Sequence, residues 1–97
     1  ITEVEDIILP DAFTLEQNYP NPFNPSTTIK YRLGSKEFVK LKVFNILGKE
    51  VADLVNSEQD AGSYELEFNA SGLESGVYFY RLETPEYKHT RKLILLK

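Results

Sequence analysis

Apolar and charged residues alternate one by one in several short runs of this chain, and this period of two restricts the fold more than any other feature. Between residues 28 and 33 the apolar side chains fall on one face, while Lys30 and Arg32 fall on the other. A β-strand points successive side chains to opposite faces, so the pattern is typical of half-buried strands. We expect a core containing Ile29, Tyr31, Leu41, Val43, Tyr64, Leu66, Phe68, Tyr78 and Tyr80, with Lys30, Lys40, Lys42, Glu65 and Glu67 exposed.

Turn residues divide the chain into strand-like segments at intervals of about 10 residues. The segments are 13–17, 28–33, 39–44, 50–55, 64–68, 77–84 and 88–97. The pattern predicts an all-β fold, an immunoglobulin-like antiparallel β-sandwich of about seven strands, without a helix longer than two turns. Residues 1–12 are interpreted as a linker or a short edge strand at 4–9, and residues 13–97 as the domain.

Two turns carry specific signals. Asn45 and Gly48 occupy the first and fourth positions of a predicted type I turn, which a left-handed glycine closes. Gly76 ends a loop, and Tyr78 enters the strand that follows it. A tyrosine at this position of a sandwich can bond its hydroxyl to the preceding loop, although a plain core tyrosine explains the residue nearly as well.

A proline-rich segment precedes the first long strand. It consists of Pro20, Asn21, Pro22, Phe23, Asn24 and Pro25. Each proline fixes φ and lacks a backbone donor, so we expect a rigid extended loop that joins neither a helix nor a ladder. Tyr19 and Phe23 are expected to fold over the open end of the sandwich; the alternative is an exposed aromatic platform for sugar rings or a partner groove.

Composition limits the function classes. The 97 residues are enough for one domain with a thin core. A net charge of −4 argues against nucleic acid as a partner. The lack of cysteine excludes disulfides and thiolate metal sites. No apolar run approaches the roughly 20 residues of a transmembrane segment, and the acidic start does not resemble a signal peptide. Because the first residue is not Met, we expect a fragment of a longer protein.

The sequence offers no catalytic constellation and implies no cofactor. His89 is the single histidine and has no nucleophile motif to serve, so an exposed strand position is expected. Glu65 and Glu67 share one face and are interpreted as a solvated strand surface rather than a glycosidase pair. A metal site is not expected, although calcium is less firmly excluded than zinc.

The last segment concentrates basic residues in an acidic domain. They are Lys88, Arg91, Lys92 and Lys97. One interpretation is an edge strand that positive charge protects from aggregation. The other is a recognition surface for a partner.

Several motifs, in order, resemble one known family. They are Leu15, Gln17, Asn18, Tyr19 and the segment 20–29; then Val43, Phe44, Asn45, Leu47, Gly48, Glu50 and Val51; then Ala61, Gly62, Tyr64 and Phe68; and finally Ser71, Leu73, Ser75, Gly76, Val77, Tyr78, Arg81, Lys92 and Lys97. This set resembles the C-terminal sorting domains, type A, of the type IX (Por) secretion system of Bacteroidetes-related bacteria. The resemblance covers about residues 13–97.

The resemblance implies a non-catalytic module that directs an upstream cargo of the same chain through the periplasm and across the outer membrane. The implied partners are the outer-membrane secretion machinery and a sortase-like surface protease. Cleavage or surface anchoring would follow, which implies a secreted or cell-surface protein of a Gram-negative bacterium. Because the family's last strand carries sorting information, the resemblance favours a recognition role for the basic residues of 88–97.

Two alternatives remain. The immunoglobulin-like domain of flagellar hook-capping proteins is similar at the proline loop and around Tyr78, but usually has Trp, Asp and Gly where this chain has residues 68–72. A carbohydrate-binding accessory domain is the other. Self-association would indicate the scaffold, and polysaccharide affinity the sugar-binding module.

Overall fold

The structure, a computed structural model, describes residues 13–97 and contains seven strands in that range. The expected linker or edge strand in residues 1–12 lies outside the described residues. In chain order the strands are β1 (Thr14–Leu15), β2 (Ser26–Leu33), β3 (Glu37–Phe44), β4 (Glu50–Gln59), β5 (Gly62–Asn69), β6 (Gly76–Thr84) and β7 (Tyr87–Leu95). The described chain has no helix, as the alternation predicts.

The strands form two sheets that pack face to face. One has the order β1-β2-β5 and the other β4-β3-β6-β7, with every neighbouring pair antiparallel. The chain crosses between sheets after β2, after β4 and after β5. This is the predicted immunoglobulin-like sandwich.

The core lies between the inner faces and follows the period of two. Its fully buried members are Leu15, Ile29, Leu33, Val39, Leu41, Val43, Tyr80, Leu82, Leu93 and Leu95, and Phe23, Tyr31, Phe68, Ala70 and Tyr78 join them. The exposed positions expected for Lys30, Lys40, Glu65 and Glu67 are confirmed.

Among the residues expected in the core or on the exposed strand faces of β2, β3 and β5, three burial predictions are wrong, each for a local reason. Tyr64 and Leu66 are half-buried rather than buried, because β5 is an edge strand and has a neighbour on one side only. Lys42 is half-buried because its ammonium group lies 3.1 Å from the Glu50 carboxylate across the β3–β4 hairpin.

Most strand boundaries differ from the prediction by one or two residues, and the end of β4 differs by four. The strand expected over residues 13–17 is limited to Thr14–Leu15. The strand expected over residues 50–55 continues to Gln59, because residues 56–59 pair with the first half of β3. Two register shifts in this pairing make β4 an irregular edge.

The β3–β4 turn has the predicted geometry. The Gly48 amide donates to the Asn45 carbonyl at 2.9 Å, and Gly48 has φ of +84°. The Asn45 side-chain oxygen accepts hydrogen bonds from the amides of Leu47 and Lys49. The asparagine side chain and the conformational freedom of the glycine therefore both stabilise this backbone path.

Tyr78 forms the corner hydrogen bond that its position allows. Its hydroxyl donates to the carbonyl of Glu74 at 2.7 Å, two residues before Gly76. Gly76 has φ of +153°, a conformation that residues with a Cβ rarely adopt. The bond ties β6 to the loop through which the chain enters the second sheet.

The same arrangement occurs a second time, at the crossing from β4 to β5. Gly62 has φ of +147°, and Tyr64 follows it by two residues. The Tyr64 hydroxyl donates to the carbonyl of Asp60 at 2.6 Å, again two residues before the glycine. Each Gly-x-Tyr segment thus begins a strand just after the chain has changed sheets.

We expect Tyr78→Phe to lower the free energy of unfolding by about 1 kcal/mol, the usual net value of a hydrogen bond. Tyr78→Ala should cost about 3 to 5 kcal/mol because it truncates a buried aromatic side chain. Tyr64→Phe is the matched control, and its effect should be smaller because its hydrogen bond is exposed. Urea denaturation measures all three. Equal midpoints for wild type and Tyr78→Phe would contradict the role of the corner.

Candidate functional site

The proline loop, residues 20–25, lies along the free edge of β7. The Phe23 amide donates to the Ile94 carbonyl at 3.0 Å, and the Leu96 amide donates to the Phe23 carbonyl at 3.0 Å. Asn21 adds a side-chain acceptor for the Ile94 amide at 2.9 Å. The expectation that this loop makes no ladder contact is therefore wrong at Phe23, a position between prolines that keeps its own amide.

The two aromatic residues of the loop region, Tyr19 and Phe23, have different environments. Phe23 is 2% exposed and packs beside Phe68, so it covers the end of the core as expected. Tyr19 is 80% exposed, and only its backbone is paired, with Thr28 of β2. A planar pair of exposed aromatic rings, as a sugar platform needs, is not formed by these two residues.

A buried polar network holds the start of the loop. The Asn18 side-chain amide donates to the Thr27 hydroxyl at 3.0 Å and to the Pro20 carbonyl at 3.2 Å. The Thr27 hydroxyl in turn donates to the Pro20 carbonyl at 2.8 Å. Asn18 and Thr27 are each 2% exposed, and buried polar groups are stable only when bonded in this way. Gln17 extends the network, since its side-chain amide donates to the Asn18 side chain and to the Lys92 carbonyl of β7.

The Tyr80 hydroxyl connects this network to the centre of the second sheet. It accepts a hydrogen bond from the Asn18 amide at 2.8 Å and donates to the Glu16 carbonyl at 2.6 Å. Burial raises the pKa of Tyr80 to about 12, although the hydrogen bond from the Asn18 amide and nearby Arg91 act against part of that rise. Sequence reasoning placed Tyr80 in the core but missed this polar role.

The predicted basic surface does not form one patch. Lys88 and Lys92 are exposed and project from the outer face of β7. Arg91 has the opposite parity and points to the inner side, where it is half-buried and its Nε atom donates to the Leu15 carbonyl of β1. Arg91 therefore links the two sheets and does not lie on the outer face with Lys88 and Lys92.

Lys97 lies beyond the strand and is held by the β5–β6 loop. Its side chain donates to the Ser71 carbonyl at 2.7 Å, and its amide donates to the Ser75 hydroxyl at 2.9 Å. Its side chain stays exposed. The predicted recognition residues thus comprise two outward lysines, one loop-bound lysine and one inward arginine.

Apolar side chains flank Lys92 on the outer face of the second sheet. Lys92 lies opposite Phe79 of β6, and the next outward pair along the strands is Val77 and Ile94. Val77 is exposed and the other two are half-buried. Leu96, just past the strand end, is 57% exposed. The accessible apolar groups beside Lys92 provide area that contact with another protein can remove from water.

The single histidine, His89, lies on β7 beside Tyr87. His89 is half-buried rather than exposed, because its ring lies 3.1 Å from the Tyr87 hydroxyl. Within residues 13–97 there is no group of three or more histidine, aspartate or glutamate residues that could hold a metal ion. The same range contains no helix with the length and apolar composition to cross a bilayer.

Comparisons with known proteins agree with this architecture. The family model for the secretion system C-terminal sorting domain matches residues 17–96. Among solved structures, the chain is similar to PorZ of Porphyromonas gingivalis, described as an essential bacterial surface component of its type IX secretion system. The two share 19% identity with a TM-score of 0.59, and the match covers 90% of this chain and 12% of the PorZ chain. No match was found among curated proteins.

The stability contributed by the Tyr80 hydroxyl should depend on pH. Its pKa is about 12 in the folded chain and about 10 in an unfolded one, so the contribution is complete below about pH 10 and is lost as pH rises through about 12. At pH 7 we expect Tyr80→Phe to be less stable than wild type by about 1 to 3 kcal/mol. Denaturation between pH 7 and 11 should show this gap narrowing. A constant gap would contradict the assignment.

Arg91→Gln should lower the free energy of unfolding by about 1 to 2 kcal/mol, because it removes a charged donor from the Leu15 carbonyl. Lys92→Gln is the matched control: it removes the same charge one residue away, from an exposed side chain, and should change stability by less than about 0.5 kcal/mol. Equal effects of the two variants in urea denaturation would contradict the bridging role of Arg91.

Proposed function

We propose that this chain, which belongs to the secretion system C-terminal sorting domain family, is recognised by the outer-membrane secretion machinery through the outer face of β7. The chain is a C-terminal sorting module of the type IX secretion system, and sorting domains of this family are non-catalytic. Such a module implies export to the cell surface or the extracellular space. The secretion machinery must therefore contact some part of the folded domain, and the last strand offers the most suitable surface.

The placement of Lys88 and Lys92 supports this proposal. Both side chains project from the same face, four residues apart along a strand, with apolar side chains beside Lys92. Positive charge increases the rate at which an acidic partner meets the surface, and the apolar neighbours provide area that can be buried once the two are in contact. Lys97 is held apart from these two lysines, at the β5–β6 loop.

Arg91 has a different role in this proposal. Because it donates to β1 from the inner side of β7, we assign it as a positioning residue that holds the strand against the first sheet. The proline loop has a similar function on the free edge. Recognition is thus assigned to the outward lysines of β7, and positioning to the inward Arg91.

The proposal also includes the type of the domain, its cargo, its route and its processing after export. We infer that the domain is of type A, that it follows a cargo domain in the same chain, and that it passes through the periplasm. After export, a sortase-like surface protease would remove the domain, or the product would stay anchored at the surface. The match to the family across residues 17–96 supports these inferences.

A reporter fusion tests the recognition surface. A neutral reporter carrying residues 1–97 at its C-terminus is expressed in a bacterium with a type IX system, and its distribution between periplasm and exterior is measured. We expect Lys88→Gln combined with Lys92→Gln to leave the reporter in the periplasm, while the domain's urea midpoint changes little, because both side chains are exposed.

The matched control is Lys36→Gln combined with Lys49→Gln, which removes two equally exposed lysines from turns between strands. This variant should be exported like wild type, because net charge is the same and only the position differs. Normal export of the Lys88/Lys92 variant would contradict the proposed surface. Loss of export in both variants would instead indicate a dependence on total charge, which also contradicts it.

A further inference from the structure

β5 presents a regular strand edge. Its eight residues pair with β2 without a register shift, and β5 is the last strand of its sheet. It contains no proline, and the described chain forms no strand on its other side. Immunoglobulin constant-type domains carry a fourth strand next to the equivalent of β5, so this edge of the fold can accept one.

Backbone hydrogen bonds show which residues of β5 face outward. The Ala70 amide donates to the Pro25 carbonyl, and the Glu16 amide donates to the Lys30 carbonyl on the opposite side of β2. Bonding alternates along an antiparallel ladder, so residues 64, 66 and 68 bond to β2. The backbone amides and carbonyls of residues 63, 65 and 67 therefore point away from the sheet.

The other long edges are less suitable for pairing. The edge of β7 is occupied by the Gln17 side chain at Lys92 and by the proline loop from Ile94 to Leu96. β4 is interrupted by two register shifts, which twist an edge away from a flat partner. β1 has only two residues. Among the described strands, β5 combines length with regularity.

Side chains on the outer face define the chemistry of a suitable partner. Glu16, Lys30 and Glu65 lie in one row across the sheet and alternate in charge, and all three are exposed. Thr28 and Glu67 form the adjacent row. A strand added beside β5 would place its own residues opposite Glu65 and Glu67. Cationic residues there would pair with the glutamates and continue the alternation of charge across the sheet, whereas anionic residues would be repelled.

The inner face adds a second requirement. Leu66 and Tyr64 project towards the core but remain half-buried, because no described strand covers them on the free side. A residue between the two cations of an added strand would point to this inner face. An apolar side chain there would complete the burial of Leu66.

We propose that β5 binds an extended segment of another protein by strand addition, and that this segment carries cationic residues at alternate positions with an apolar residue between them. Main-chain hydrogen bonds to residues 63, 65 and 67 supply affinity, and the two glutamates select the sequence. A second copy of this chain is disfavoured as the occupant, because pairing β5 with itself brings glutamates face to face.

The test uses two blocked eight-residue peptides, matched in length to β5: one alternates Lys with Val, and the other alternates Glu with Val. Binding to the 97-residue chain is measured by titration with NMR detection of each amide. The Lys peptide should bind at least about tenfold more tightly than the Glu peptide, since two charge pairs change sign. Its binding should slow hydrogen exchange at the amides of residues 63, 65 and 67.

Two variants distinguish strand addition from general attraction of charge. Glu65→Pro removes an amide that faces away from β2, a position where an edge strand tolerates proline, and should abolish binding while the domain stays folded. Glu65→Lys combined with Glu67→Lys keeps the backbone and should reverse the preference to the Glu peptide.

Several results would overturn the proposal. They are failure of the Lys peptide to bind, equal affinity for both peptides, unchanged binding by the folded Glu65→Pro variant, and slow exchange at residues 63, 65 and 67 before any peptide is added. If Glu65→Pro fails to fold, the charge-reversed variant decides the question: retained preference for the Lys peptide rejects the proposal. Dimerisation of wild type through β5 would also reject it.

Discussion

The backbone contact between Phe23 and β7 is the constraint on which the arrangement of the last strand depends. An edge strand at the end of a sheet has backbone groups without partners, and β7 would expose the amides of Ile94 and Leu96 in this way. The proline loop supplies an acceptor for each, one from the Asn21 side chain and one from the Phe23 carbonyl. Flanking prolines limit the conformations that the loop loses on docking, which lowers the entropic cost of holding Phe23 in place.

The position of the loop in turn depends on buried polar contacts. Asn18 and Thr27 fix the Pro20 carbonyl, and the Tyr80 hydroxyl fixes the chain just before the loop. Removing one partner from such a network leaves the others buried without a hydrogen bond, which costs more than the bond contributes. Arg91 adds a second connection between the sheets at β1. Together these contacts leave the outer face of β7 as its accessible surface, which is why the recognition surface is proposed there rather than at its edge.

Much of the fold could be predicted from the sequence because one face of each strand is buried, and burial imposes a period of two. The predicted burial was wrong for residues whose environment depends on the order of strands in the sheet. Tyr64 and Leu66 alternate as core residues do, yet sequence does not show that β5 ends a sheet. Arg91 is a different case: it has the same parity as the buried Leu93, so the period of two already placed it inward. Grouping the cations by charge, rather than by strand face, concealed this. The hydrogen bond between Asn18 and Tyr80 could not be predicted, because the two residues are 62 positions apart in the sequence and meet only in the folded chain.

The most direct test of this account is amide hydrogen exchange along β7 in the free domain. If the proline loop covers the edge, the amides of Ile94 and Leu96 exchange nearly as slowly as that of Leu93, which faces β6, and far more slowly than the outward amide of Glu65 on β5. Asn21→Ala should then raise the exchange rate of Ile94 while Leu93 stays protected. Rapid exchange at Ile94 and Leu96 in the wild-type domain would contradict the account, because the edge of the last strand would then be open.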